Sequence, residues 1–279
     1  MHFAIDVAPI GELADPRAVV RLATAAEAAG WDGLSTWDNV GNAMAAPVGD
    51  PFVIMSAVAA RTTSLRLILS ALVLPRRRPH LVAQSCGSLD RLSDGRLVVG
   101  AAIGGDPPEF EAFGEEVDAA RRASKLEESL DLVDRYLRGE TVEHDGPAFV
   151  AHAAKVGPPP VQQPRPPIWI GAGRPRAFRR AARWDGWIAV GIGDMESISM
   201  SLSPDDVRDA LAIIRAERAL LGTTDEPFDV ALLGYSDPGV RHRPADYAAA
   251  GVTWWLESLH LGRGPFDALL ERTEAGPPR

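Results

Sequence analysis

One cysteine, Cys86, stands among the 279 residues, which excludes a disulfide framework and a cysteine-rich metal site. The six histidines (His2, His80, His144, His152, His242 and His260) show no HxH or HxxxH spacing, so the common zinc patterns are missing too. No apolar run approaches the roughly 18 residues that a membrane span needs. The amino terminus has no basic segment followed by an apolar one, so a cytoplasmic protein without a membrane partner is expected. There is no GxSxG nucleophile elbow, no P-loop, and no GxGxxG after the first strand. Positive charge is also in deficit. Lys and Arg number 29 against 38 Asp and Glu, and the net charge of −9 argues against a general nucleic-acid binder. The usual side-chain chemistries are poorly supplied, which points to a cofactor that carries the reaction.

What the chain does have is an ordinary globular composition, 46% apolar and 24% charged, and a length that suits one α/β barrel or two smaller domains. The most informative stretch is Leu65 to Pro75, LRLILSALVLP. An apolar run ended by proline and charge reads as a strand buried on both faces, as in parallel sheets covered by helices. Arg76-Arg77-Arg78 then begins the next loop, at the strand end where barrels and open α/β sheets carry their sites. Two readings of these arginines stand: a solvated loop, or a seat for an anionic ligand.

Seven other stretches read as strands with helical patterns between them: Phe3 to Ala8, Gly33 to Trp37, Arg96 to Ile103, Pro167 to Ala172, Gly186 to Ile192, Phe228 to Tyr235 and Val252 to Leu259. Asp15-Pro16, Asp50-Pro51 and Ser203-Pro204 mark helix starts, with a capping side chain before a proline. Leu126, Leu130, Val133 and Leu137 form one apolar stripe on a long helix from Asp118 to Arg138. The stretch Thr141 to Pro167 breaks the rhythm with a hairpin around Asp145-Gly146 and a proline-rich segment, and reads as an insertion. Eight strand–helix units predict a single (β/α)8 TIM barrel domain over residues 1–279, with an open doubly wound sheet as the alternative.

In a barrel the loops after the strands build the site. They gather Asp38 and Asn39; Ser70, Ala71 and Leu72; Arg76 to Arg78; Gly104, Gly105 and Asp106; Gly171 to Arg174; Gly191 to Asp194; Ser236 and Asp237; and Glu257 with His260. Gly171-Ala172-Gly173-Arg174, just before a helix, is the best phosphate candidate, because backbone N–H groups and a guanidinium suit an anion. A tight turn explains the same glycines. Asp38-Asn39 reads equally as a turn cap, and Cys86, within a helix, as packing. Trp37, Trp169, Trp184, Trp187, Trp254 and Trp255 lie near strand ends, most of them core and one or two free to line a flat ligand.

Several ordered blocks resemble the bacterial luciferase-like monooxygenase family: AEAAGWDGLSTWDN, DPFVIMSAVAARTTSLRLILSALVLPRRRPHLVAQ, LDRLSDGRLVVGAAIGG, YLRGETVEHDG, PRPPIWIGAGRP and AARWDGWIAVG. The resemblance covers nearly the whole chain and implies a (β/α)8 barrel that uses reduced FMN or the deazaflavin F420. It implies that Asp38 and Asn39 face the cofactor ring. The family commonly has Asp-His at that turn, so the imidazole is missing here. A non-proline cis peptide is implied near Ala71-Leu72, behind the ring, with Ser70 beside it. The cofactor phosphate would lie at Gly171, Gly173, Arg174, Val190 and Gly191, with Gly104 a further loop contact and Arg76 to Arg78 near the cofactor tail or substrate. F420 implies hydride transfer, FMN implies oxygen activation, and three arginines lean toward the acidic tail of F420. A homodimer acting on a small-molecule substrate is implied. The alternatives are a non-catalytic flavin-binding protein, and a cofactor-free lyase or isomerase with Asp106, Glu109 or Glu257 as base.

Overall fold

Alternation within buried strands sorts the side chains of this chain into two shells. In the computed structural model, which describes residues 1–41, 46–105, 107–190, 202–237, 239 and 243–278, the strands are β1 (His2–Val7), β2 (Gly33–Thr36), β3 (Arg66–Val73), β4 (Leu97–Ala102), β5 (Val142–Asp145), β6 (Val150–Ala154), β7 (Ile168–Ala172), β8 (Gly186–Ala189), β9 (Asp229–Gly234) and β10 (Trp254–Leu259). Eight of them close a parallel barrel in the order β1-β10-β9-β8-β7-β4-β3-β2. The expected barrel is therefore present, and the open sheet is excluded.

The inner shell holds Ala4, Ile68, Val98, Trp169, Ile188, Ala231, Leu233, Trp254 and Leu256. The outer shell packs the other strand face, including Trp187 and Trp255, against the helices. So four of the six tryptophans near strand ends are core, and half-buried Trp37 stands just past β2.

The helices begin where the sequence marks them. In α1 (Pro16–Ala28) Asp15 accepts from Arg17 N; in α2 (Pro51–Ala59) Asp50 accepts from Val53 N. The next helix, α3 (Pro79–Leu92), follows a 3-10 turn over Leu74–Arg76. A short helix, α4 (Pro107–Ala112), stands where no element was expected. Then come α5 (Ala119–Leu137), α6 (Pro175–Ala181), α7 (Pro204–Leu221), α8 (Pro244–Ala250) and α9 (Phe266–Glu274). Strands β5 and β6 form the expected hairpin. Glu128 on α5 fixes it, accepting from Phe149 N at 2.8 Å and contacting His144 Nε2 at 2.8 Å. No helix among the described residues is long and apolar enough to cross a membrane.

Candidate active site

The second layer of the barrel interior lies one alternation above the apolar inner shell, toward the carboxyl ends of the strands. Two residues on from Ala4, Ile68 and Trp169 stand Asp6, Ser70 and Gly171, and Ser35 and Ser258 flank Asp6 in register on β2 and β10. The residues here are small. A Cβ on Gly171 would lie 3.2 Å from Ala102 Cβ and 3.6 Å from Ala71 Cβ, so these three residues adjoin. Val190 N donates to Ala172 O at 3.3 Å, which brings the end of β8 to the same rim.

Strand β3 bulges between Leu69 and Leu72, and the Ser70–Ala71 peptide bond is cis. It falls one bond earlier than the Ala71-Leu72 position expected from the sequence.

Asp38 ties β2 to β3. Its Oδ2 accepts from Val73 N at 2.9 Å and from Arg77 Nε at 2.8 Å, and its Oδ1 accepts from Arg77 Nη2 at 2.6 Å. Burial lowers the Arg77 pKa, but its hydrogen bonds to Asp38 and the charges of Asp38 and Asp50 outweigh that, leaving it above the ordinary arginine value. Beside it, Asn39 Oδ1 accepts from Gly41 N at 2.7 Å, a turn of the kind asparagine makes with its own backbone. Its side-chain amide N–H groups have no partner among the described residues and are free to donate.

Glu109 on α4 holds the same loop. Its Oε1 accepts from Val40 N at 2.7 Å and Gly41 N at 3.1 Å, and its Oε2 accepts from Arg76 Nη2 at 2.9 Å. Arg76 Nε donates to Glu115 at 3.1 Å. The two ion pairs lace together the loops after β2, β3 and β4. Arg76 and Arg77 are thus paired with internal carboxylates, and of the three arginines Arg78 alone is exposed without a carboxylate partner among the described residues. A cavity of about 440 Å³ opens here, lined by all three arginines together with Lys125 and Phe149 among others.

The other expected site residues are scattered around the rim. Gly104 has φ +79°, and a Cβ there would sit 2.5 Å from Phe110 Cζ, so its turn is required by packing. Leu72 is buried in the outer shell. Arg174 is the exposed N-cap of α6, where Pro175 withholds one N–H. Gly173 is half-buried beside it. Gly191 and Asp106 lie outside the described residues.

Glu257, weighed as a base, is buried and saturated. It accepts from Arg263 at 2.9 Å, Arg272 at 2.8 Å, Trp255 Nε1 at 2.8 Å and Ser236 N at 3.2 Å. His260 contacts Tyr235 Oη at 3.3 Å, and burial, then the Arg263 charge, holds its pKa below the ordinary value.

The residue that sequence reasoning missed is Asp6. It is fully buried, and Ser35 Oγ donates to its Oδ1 at 2.7 Å. Ser70 Oγ lies 3.3 Å from the same oxygen, Ser35 and Ser70 contact each other directly, and Asp6 Oδ2 has no partner among the described residues. Burial pushes the Asp6 carboxyl up to about 7, against the two serine hydrogen bonds, which lower it. One signal was available: an acid at an inward alternation position of a strand buried on both faces.

The chain is thus an eight-stranded parallel α/β barrel with a floor of small residues at the carboxyl end of its strands, the end where such barrels carry their sites. The chain belongs to the luciferase-like monooxygenase family, whose model matches residues 2–257. An uncharacterized protein of Mycobacterium tuberculosis is 30% identical over 243 residues, covering 80% of this chain and 79% of that one. Among solved structures, monooxygenase RslO1 from Streptomyces bottropensis superposes with a TM-score of 0.79 at 22% identity, covering 99% of this chain and 97% of that one. The coenzyme F420-dependent tetrahydromethanopterin reductase from Methanopyrus kandleri gives a TM-score of 0.76 at 17% identity, covering 99% and 98%.

Proposed function

We propose that the protein is an oxidoreductase that seats reduced F420 or reduced FMN in the barrel mouth and reduces or monooxygenates a small organic substrate. The observation that carries this reading is the floor of Ser70, Ala71, Ala102 and Gly171. Side chains this small leave a flat surface at the strand ends, which fits a planar ring. The end-to-end likeness to an F420-dependent reductase supports F420 over FMN. With two of the three arginines occupied internally, they add little to that preference. The chain acts as a single barrel domain, in a cytoplasmic homodimer.

In this reading the ring's face would rest on Ala71 and Gly171, with Ser70 and the Asn39 amide at its polar edge. Gly173, Arg174, Val190 and Gly191 would hold the phosphate, with Gly104 beside them after the neighbouring strand β4. The bound cofactor supplies hydride if it is F420 and oxygen activation if it is FMN. The protein supplies position and dryness. The Asp38–Arg77 and Glu109–Arg76 pairs keep three loops in register around the mouth. The hairpin, through Phe149, and Arg78 with Lys125 would shape the substrate side.

Asn39 favours a second reading, a non-catalytic flavin-binding protein. An amide donates and accepts hydrogen bonds but exchanges no proton near neutral pH, so Asn39 cannot serve as acid or base. Stopped-flow mixing of the protein with reduced cofactor, air and a panel of organic acceptors separates the two. Oxidation faster than that of free cofactor supports the enzyme. Protection of the reduced cofactor supports the binding protein. Equal rates with and without protein contradict both.

A further inference from the structure

Asp6, Ser35 and Ser70 form a file that runs from the barrel interior to its mouth. Asp6 and Ser35 are wholly buried, and Ser70, at 5% exposure, is the outermost. Their hydrogens can be counted. Each serine has one hydroxyl proton and two lone pairs. If Asp6 is ionised, Ser35 donates to Oδ1, Ser70 donates inward to Ser35 or to Oδ1, and Ser70 shows only lone pairs to the mouth. If Asp6 is neutral with its proton on Oδ1, the direction reverses. Asp6 donates to Ser35, Ser35 to Ser70, and the Ser70 hydroxyl proton points outward. A proton on Oδ2 would be a buried donor with no acceptor, which costs more than an unfilled carbonyl lone pair.

Resting on the function proposed above, we propose that Asp6 is a positioning residue that sets the polarity of Ser70 at the cofactor ring: the neutral acid makes Ser70 a donor to a ring carbonyl or ring nitrogen, and the ionised acid makes it an acceptor.

The surroundings isolate this file electrically. On β2, β3 and β10 its neighbours are Ser35, Ser70 and Ser258. The charged residues of those elements stand elsewhere. His2 and Arg66 are at the amino ends of β1 and β3, Asp38 beyond β2 is paired with Arg77, and Glu257 on β10 is held by Arg263 and Arg272. Across the barrel, Asp229 is at the amino end of β9, while β4, β7 and β8 carry no charge. Burial alone raises the Asp6 pKa, and no charged group contributes. The switch therefore falls within the neutral range, where Asp6 titrates at about 7.

The test combines a titration with a binding profile. The Asp6 carboxyl is followed by carbon NMR of protein labelled at aspartate, with Asp6→Asn to assign the signal. Affinities for oxidised F420 and oxidised FMN are measured from pH 5.5 to 8.5 for the wild type, Asp6→Asn and Ser70→Ala. Asparagine can donate to Ser35 at every pH, which fixes the outward-donor state. The expected results are a carboxyl midpoint near neutrality, wild-type affinity that falls at least fivefold from pH 6 to 8, and a flat Asp6→Asn profile at the wild-type low-pH value. Ser70→Ala should be flat and weak. A carboxyl midpoint near the usual 4, or the same pH slope in Asp6→Asn as in the wild type, overturns the inference while leaving the cofactor reading intact. A wild type that binds neither probe contradicts the cofactor reading and the ligand half of the inference, while the carboxyl titration still decides the proton half.

Discussion

Arg77 grips both carboxylate oxygens of Asp38, at 2.8 and 2.6 Å, while Asp38 also accepts the Val73 amide. Asp38, expected to face the ring, is thus a clamp between β2 and β3, its side chain fully buried. Removing one partner leaves a buried charge alone, which costs about 3–5 kcal/mol. Arg77→Ala should lower stability by that amount in urea denaturation. Arg77→Lys should recover only part, because an ammonium cannot reproduce the two-point contact. A change under about 1 kcal/mol, the size expected of a surface pair, would show that the clamp is not formed.

Asp6 should make stability depend on pH in a direction opposite to that of most carboxylates. Its folded pKa of about 7 lies above the unfolded value of 3.8. The folded state therefore holds the proton where the unfolded state has lost it. The stabilisation is complete below about pH 4 and is lost progressively as pH rises to about 7, roughly 4 kcal/mol in all. Asp6→Asn should be more stable than the wild type at pH 8 and should lack this slope. Denaturation curves at four pH values check it.

Gly171 separates cofactor binding from folding. A Cβ there would meet Ala102 Cβ at 3.2 Å, and Ala101 O and Ala71 Cβ at 3.6 Å. Gly171→Ala should cost under about 1 kcal/mol. Gly171→Leu should place a bulky side chain on the floor, weakening cofactor binding at least tenfold while the melting temperature moves only a few degrees. Equal cofactor affinity in Gly171→Leu would remove Gly171 from the site.

Glu109→Gln should loosen the loop after β2. The amide would turn an N–H toward Arg76 or toward the Val40 and Gly41 amides, and leave one set unsatisfied. The expected loss is about 1–3 kcal/mol, with faster hydrogen exchange at Val40 and Gly41. Unchanged exchange there would mean that the loop is held by other contacts.

The fold was legible because the barrel repeats a local rule. LRLILSALVLP, PIWIGA and VTWWLESL are buried on both faces, and Asp-Pro or Ser-Pro restarts a helix between strands. The roles of the rim residues were harder to read, because they depend on pairs between loops. Nothing local separates Arg77, which meets Asp38 39 positions away, from its exposed neighbour Arg78. Helix α4 went unseen because Pro107-Pro108 opens only six residues, too few to show a helical period. Asp6 was hidden inside the first short strand. Its meaning appears only when closure of the barrel brings Ser35 and Ser70 against it.

The account rests on a cofactor ring in the barrel mouth. The most direct measurement is a side-by-side anaerobic titration of the purified protein with F420 and FMN, each oxidised and reduced, read by fluorescence and calorimetry. The prediction is one-to-one binding of at least one of them at about micromolar affinity or tighter, with F420 ahead of FMN and the complex weakened by Gly171→Leu. Failure of all four to bind the folded protein below about millimolar concentration would contradict the account.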